Sequence, residues 1–142
     1  MRVDTTIPLN DWRAVAGAAR AAEAAGFDGV MSAEIANDPF MPLAFAAVAT
    51  QRIELSTGIC VAFPRSPMVV AESSWDLHAQ SGGRFRLGLG SQVKGHNERR
   101  FSVPWSAPVP RLREYVESLR AIWRCWEKQE PLRYEGEHYR FT

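Results

Sequence analysis

Residues suited to chemistry lie where apolar segments of the chain end. Glu34 directly follows the apolar segment 27–32, and its carboxylate suits either a general acid or base or a solvated loop position. Gly58 lies near the end of segment 53–59, where a missing side chain allows a flat ligand to approach closely or marks a bulge. Both positions are therefore candidates for a ligand site.

A basic cluster follows the fourth apolar segment and suits either an anionic ligand or solvent. Its members are Lys94, His96, Arg99 and Arg100. The preceding LGLGSQVKG does not predict a dinucleotide site, because Val93 stands where GxGxxG requires its third glycine.

Other common reaction centres are not expected. The histidines lack HxxE or HxH spacing, so no metal site is predicted, and no GxSxG elbow supports nucleophilic hydrolysis. Cys60 and Cys125 lack CxxC spacing and are predicted to be buried free thiols.

Strands and helices alternate along the chain. Strands are predicted at 2–7, 27–32, 53–59 and 85–90, and each is followed by a helix, which indicates a parallel α/β sheet. Ile53, Leu55 and Ile59 alternate with Glu54, Ser56 and Gly58. Two unlike faces favour a (β/α)8 barrel over an open doubly wound sheet, whose strands are apolar on both faces. Either fold places its site at the carboxyl ends of the strands.

Glycine and proline predict where elements begin and end. Gly26 is expected to end the first helix in a left-handed conformation, and Pro42 and Pro110 are expected to open the second and fourth helices. Three prolines after residue 103 predict an irregular loop over residues 91–110. Residues 132–142 predict a hairpin in which Gly136 takes a positive φ.

Charge and hydropathy exclude several classes of partner. Seventeen basic and sixteen acidic residues give a net charge of +1, so a nucleic-acid partner is not expected. No apolar run is long enough to cross a bilayer, and the first residues carry charges where a signal peptide is apolar. These features predict a cytoplasmic protein without a membrane partner.

Four segments together resemble a known family: AAEAAGFDGVMSAE, IELSTGICVAFPRSPMVVAESSWDLHAQSGGRFRLGLGSQ, REYVESLRAIW and YEGEHYRFT. They are similar to the luciferase-like monooxygenase superfamily, and within it to the coenzyme F-420-dependent oxidoreductases. The resemblance covers residues 1–142 as the N-terminal half of one such domain. It implies a TIM-type (β/α)8 barrel of which this chain forms about four βα units, a half-barrel.

The resemblance also implies an activity and a cofactor site. Members transfer a hydride to or from a small organic substrate through F-420, expected here, or through FMN, the alternative; the flavin branch activates oxygen. Ala33 and Glu34 match positions beside the cofactor ring, and Glu34 is the candidate catalytic residue, although many deazaflavin members have Asp-His there. Gly58 and Ile59 match a pair that often carries a non-proline cis peptide behind the ring. Ser91 matches a hydroxyl that contacts cofactor.

A half-barrel leaves its edge strands unpaired, which predicts a homodimer or association with a missing C-terminal half. The aromatic stripe of helix 111–128, with Tyr115, Trp123 and Trp126, adds apolar surface to be covered. A non-catalytic half-barrel that acts only by association is the alternative to the enzyme. In the enzyme, a side chain at Gly58 is expected to point at the cofactor ring, so that Gly58→Val lowers cofactor affinity without unfolding the protein.

Overall fold

A computed structural model describes residues 1–142 as two compact units. The first unit comprises Met1–Cys60 and Ser73–Leu89, and the second comprises Val61–Glu72 and Gly90–Thr142. The strands are β1 (Asp4–Thr6), β2 (Gly29–Ser32), β3 (Glu54–Thr57), β4 (Cys60–Val61), β5 (Phe85–Arg86), β6 (Leu89–Gly90), β7 (Tyr134–Glu135) and β8 (Arg140–Phe141). The helices are α1 (Trp12–Ala24), α2 (Phe40–Ala49), α3 (Pro67–Gln80) and α4 (Pro108–Lys128), and a π-helical segment spans His96–Arg100.

The sheet of the first unit is parallel, as predicted. Its strand order is β1-β2-β3-β5. β2 pairs with β1 through Thr5 and Val30, and with β3 through Val30 and Leu55, while Ser56 pairs with Arg86 of β5. The carboxyl ends of these strands therefore lie along one edge of the sheet.

The two faces of the sheet differ as the alternation predicted. Val30, Leu55 and Thr57 are buried on one face. Glu54 and Ser56 on the other face are only partly buried. This pattern is typical of a barrel strand, whose apolar side chains face the helices.

Polar side chains and glycine set the limits of the first two helices. Asp11 accepts a hydrogen bond of 3.0 Å from the amide of Arg13 at the start of α1, and Gly26 follows the helix with a φ of +84°. The expectation that Pro42 opens α2 is wrong. Asp38 accepts from the Phe40 amide at 2.8 Å and starts the helix at Phe40, so Pro42 lies within the first turn.

The fourth predicted strand is interrupted. β5 and β6 are separated by Leu87 and Gly88, because the hydroxyl of Thr57 donates to Gly88 O at 2.8 Å and accepts from Gly88 N at 2.9 Å. A Cβ at Gly88 would lie 2.1 Å from Thr57 O, which leaves room only for glycine. Beyond the break, β4 and β6 pair with each other.

Helix α4 forms the core of the second unit. Tyr115, Leu119 and Ile122 are buried along one face, and Trp123 Nε1 donates to Ala71 O at 3.2 Å. The helix begins at Pro108 rather than at Pro110, because a proline in the first turn removes no helical hydrogen bond. Part of the loop predicted over 91–110 is thus helical.

The terminal hairpin is confirmed, with Tyr134 opposite Phe141 in antiparallel pairing. The predicted positive φ of Gly136 is wrong, since positive φ among the glycines occurs at Gly26, Gly82 and Gly83. The carboxylate of Glu114 lies against Gly136 instead, because a Cβ there would lie 2.3 Å from a carboxylate oxygen of Glu114.

Both cysteines are free, as predicted; Cys60 is buried, whereas Cys125 is only partly so. None of the four helices is both long enough and apolar enough to span a bilayer.

Candidate functional site

Glu34 lies just beyond the carboxyl end of β2 and is almost completely buried, with a relative exposure of 8%. Its backbone amide donates to Ile59 O at 3.2 Å. A solvated loop carboxylate, one of the two interpretations of the sequence, is therefore wrong. A carboxyl group held at low exposure beside a second strand end can keep or transfer a proton away from bulk water.

Gly58 and Ile59 lie at the next strand end along the chain. The Gly58 amide donates to Ser32 O at 2.8 Å, and the peptide bond between Gly58 and Ile59 is cis, as the resemblance implied. Together with the bond from Glu34, this contact joins the residues that follow β2 to those that follow β3. The structure thus brings Ala33 and Glu34 beside Gly58 and Ile59.

The space beside Gly58 is occupied by a side chain of the neighbouring strand. A Cβ on Gly58 would lie 1.8 Å from Met31 Sδ and 2.3 Å from Met31 Cγ. It would therefore displace the side chain of Met31 in β2. Glycine at this position lets the Met31 side chain pack against the end of β3.

The partly buried face of the sheet carries charges at the opposite end. Glu54 accepts from Arg86 at 2.7 Å and also pairs with Arg2, and the carboxylate of Asp4 lies over Gly29. These groups lie at the amino end of β3 and β1, whereas Glu34 follows the carboxyl end of β2. The pairing of Glu54 with Arg86 and Arg2 makes these three residues a structural cluster.

Ser91 belongs to the second unit, where it follows β6. Its side chain is partly buried, and its hydroxyl donates to Gln92 O at 3.3 Å. Gln92 has a φ of +57°, in the left-handed region. The Ser91 carbonyl accepts a 2.8 Å hydrogen bond from the side chain of Asn97, a residue that the sequence did not single out. The one feature of the sequence that could have drawn attention to Asn97 is its place among charged residues.

The basic cluster is exposed throughout. Lys94 lies 3.9 Å from Glu98, and the guanidinium of Arg100 lies 4.7 Å above the ring of Phe101. His96 and Arg99 are exposed as well. This arrangement favours a solvated surface over a built anion site.

Glu114, Glu137 and His138 lie close enough for their ligand atoms to fall within 4.8 Å of one another. The Glu114 carboxylate, however, accepts hydrogen bonds from the amides of His138 at 2.8 Å and Glu137 at 3.2 Å. Burial raises the pKa of Glu114, but these amide hydrogen bonds outweigh it and hold the pKa below its usual range. The carboxylate therefore anchors the hairpin to α4.

Comparison with known proteins points to one family. The family model described as luciferase-like monooxygenase matches residues 1–142. An uncharacterised protein of Mycobacterium tuberculosis is 50% identical over 139 residues, which are 98% of this chain and 41% of that protein.

Two solved structures share the fold. The coenzyme F-420-dependent tetrahydromethanopterin reductase of Methanopyrus kandleri superposes with a TM-score of 0.81 at 24% identity, over 100% of this chain and 45% of that one. The FMN complex of the oxygenating constituent of 3,6-diketocamphane monooxygenase from Pseudomonas putida gives 0.80 at 19% identity, over 99% and 44%. The chain thus spans less than half the length of the proteins it matches, and the predicted α/β half-barrel is confirmed.

Proposed function

The chain belongs to the luciferase-like monooxygenase family, and on this premise we propose that it forms part of an oxidoreductase that transfers a hydride to or from a small organic substrate. Coenzyme F-420 is the proposed cofactor, with FMN as the alternative. The observation that carries the proposal is the buried Glu34, held beside Ile59 at the carboxyl ends of two parallel strands.

The residues at these strand ends fit a flat ring system. Ala33 and Gly58 are small, and their backbones are fixed by the hydrogen bonds of Glu34 and Gly58. Neither residue adds more than a methyl group of its own to the ends of β2 and β3, and the side chain that lies against Gly58 is that of Met31. Ser91 is proposed to contact the cofactor through its hydroxyl, by its match to the family motif. The bound cofactor would supply a ring that accepts or gives a hydride.

Glu34 is the residue proposed to move the accompanying proton. Transfer of a hydride to or from a carbon–oxygen bond also requires a proton at the oxygen, and a positioned carboxyl group can hold it. Because Glu34 is almost completely buried, its carboxyl group is largely shielded from bulk water. This role predicts a dependence of rate on pH that disappears without the carboxyl group.

The test is a pair of charge-neutralising variants. Glu34→Gln should bind F-420 with nearly unchanged affinity, measured by quenching of cofactor fluorescence, and should slow turnover in a screen of small organic substrates by about 100-fold. Glu72→Gln on the exposed surface of α3 is the matched control and should leave both quantities unchanged. A Glu34→Gln variant whose pH–rate profile keeps its height and shape would remove Glu34 from the mechanism. Tight FMN binding without F-420 binding would make FMN the proposed cofactor in place of F-420.

A second copy or a C-terminal half is proposed as the protein partner. β1 and β5 are the outer strands of the first unit's sheet and each has one neighbour in it. α2 carries no charged residue, yet Met41, Phe45 and Val48 on it are exposed by 52%, 40% and 75%. Since an apolar helix normally has all its faces covered, we propose that a second copy packs on this face.

The outer strands β1 and β5, each with one neighbour in the sheet, also favour the alternative function, a half-barrel that acts only by association. Cofactor titration separates the two: a well-folded, assembled protein that binds neither F-420 nor FMN would support the non-catalytic alternative.

A further inference from the structure

Asn97 is a fully buried polar residue in a segment that is otherwise exposed. It has a relative exposure of 0%, whereas His96 and Glu98 on either side are exposed. A buried amide side chain is retained in a fold only when its hydrogen bonds offset the loss of its water shell. The contacts of Asn97 therefore indicate what it does.

The hydrogen bonds that Asn97 donates all converge on the turn formed by Ser91, Gln92 and Val93. The side-chain Nδ2 of Asn97 donates to Ser91 O at 2.8 Å and to Val93 O at 3.1 Å. The backbone amide of Asn97 donates to Val93 O at 3.2 Å. Asn97 thus donates hydrogen bonds to the carbonyl groups of the residues on both sides of Gln92.

The residue between these carbonyls is held in an unfavourable conformation. Gln92 has a φ of +57°, a region that residues with a side chain rarely adopt unless the surroundings impose it. Two hydrogen bonds from one rigid amide, one on each side of Gln92, supply such a constraint. The same turn carries the Ser91 hydroxyl.

The side-chain oxygen of Asn97 takes no part in these hydrogen bonds. Asn97 Oδ1 is buried and accepts no hydrogen bond from the chain. Burial of this oxygen without a donor is unfavourable, so the orientation of the side chain is set by the two hydrogen bonds that its Nδ2 donates. An aspartate at this position would set a carboxylate against two carbonyl oxygens.

We propose that Asn97 is a positioning residue, which locks the turn of residues 91–93 and thereby presents the Ser91 hydroxyl to the cofactor. The second half of this statement rests on the proposed function of Ser91. The first half concerns the chain alone, so the two parts can be tested separately.

The turn is tested by amide hydrogen exchange in Asn97→Asp. The His96 amide donates to Val93 O at 3.1 Å, and its exchange should become about tenfold faster once Val93 is released. Amides in the middle of α4 should exchange at the wild-type rate. Asn37→Asp is the matched control, because Asn37 Nδ2 also donates to a backbone carbonyl, Leu9 O at 2.9 Å. Unchanged exchange at His96 in Asn97→Asp would overturn the proposal.

The effect on the cofactor is tested by a double-mutant cycle with F-420 and FMN as the probes. Asn97→Asp and Ser91→Ala should each weaken binding by about tenfold, and the double variant should bind no more weakly than the weaker single variant. Asn37→Asp should bind normally. Additive losses would show that Asn97 acts by general destabilisation and would overturn its positioning role. If Ser91→Ala binds normally, the proposed function of Ser91 fails, and the link from Asn97 to the cofactor fails with it, while the exchange data decide the turn.

Discussion

Arg84 supplies the sharpest test of what stabilises the parallel sheet. Its Nε donates to Ser81 O at 2.7 Å, and Nη1 donates to Thr50 Oγ1 at 2.9 Å and to Ile53 O at 2.8 Å. Its Nη2 donates to Ala47 O at 2.9 Å and to Thr50 O at 3.0 Å. One guanidinium thus satisfies carbonyls at the carboxyl end of α2 that have no partner within the helix.

The magnitude follows from these five bonds. A hydrogen bond contributes a net free energy of about 1 kcal/mol or more, so loss of all five in Arg84→Met is worth about 5 kcal/mol where no water replaces them. Arg84 is only partly buried, and water reaches some of the released carbonyls. We expect Arg84→Met to lower the free energy of unfolding by about 3–4 kcal/mol. Arg84→Lys, which keeps the charge but loses the planar fork, should cost about 2 kcal/mol.

The assay is urea unfolding followed by circular dichroism, with each variant compared at an unchanged m-value. Arg86→Met, two residues further along the chain, is the matched control. The Arg86 side chain is 60% exposed and pairs with Glu54 at 2.7 Å, and an exposed pair of this kind is worth about 0.2–1 kcal/mol. The reasoning is refuted if Arg84→Met costs no more than Arg86→Met.

Three further predictions concern separate parts of the first unit. The amides of Ile53 and its two predecessors donate to the Glu23 carboxylate and lower its pKa from 4.5, so the stabilisation is present above about pH 4.5 and is lost as the pH falls through the lower folded pKa. Glu23→Gln should therefore reduce the loss of stability at acid pH. An unchanged acid loss of stability in this variant would contradict the prediction. Gly58→Val should lower Tm through its clash with Met31, and Met31→Ala should restore part of the loss; no restoration would show that the clash is elsewhere. Phe45→Glu should shift a dimer to monomer in sedimentation at micromolar concentration, and an unshifted dimer would place the interface away from α2.

The order of elements was predictable because it depends on local chemistry. Asp11 as N-cap and Gly26 after the helix limit α1 by hydrogen bonds and φ preferences that neighbouring residues decide. The alternation of Ile53 and Leu55 with Glu54 and Ser56 likewise records which face of β3 is buried. Such patterns repeat within a few residues, so they are visible in the sequence.

The start of α2 was predicted wrongly because two nearby residues compete as helix-start signals. Both Asp38 and Pro42 are signals for a helix start, and only the side-chain hydrogen bond of Asp38 to the Phe40 amide decides between them. The candidate site residues were reached through motifs of the family rather than through periodicity. Their burial and their mutual contacts could not be inferred in that way.

The sequence by itself determined the alternation of strands and helices and the parallel sheet, because these depend on repeating patterns of polarity, whereas the half-barrel was implied by the family resemblance. Tertiary structure alone decided why Gly88 must be glycine, since the backbone oxygen of Thr57 excludes a Cβ there, and it alone placed the side chains of Met31 and Glu114 against Gly58 and Gly136. It also decided that Glu34 is buried and that Asn97 is hydrogen-bonded to the turn after β6. Distance between residues that lie far apart in the chain is set by packing, and no pattern along the chain records it.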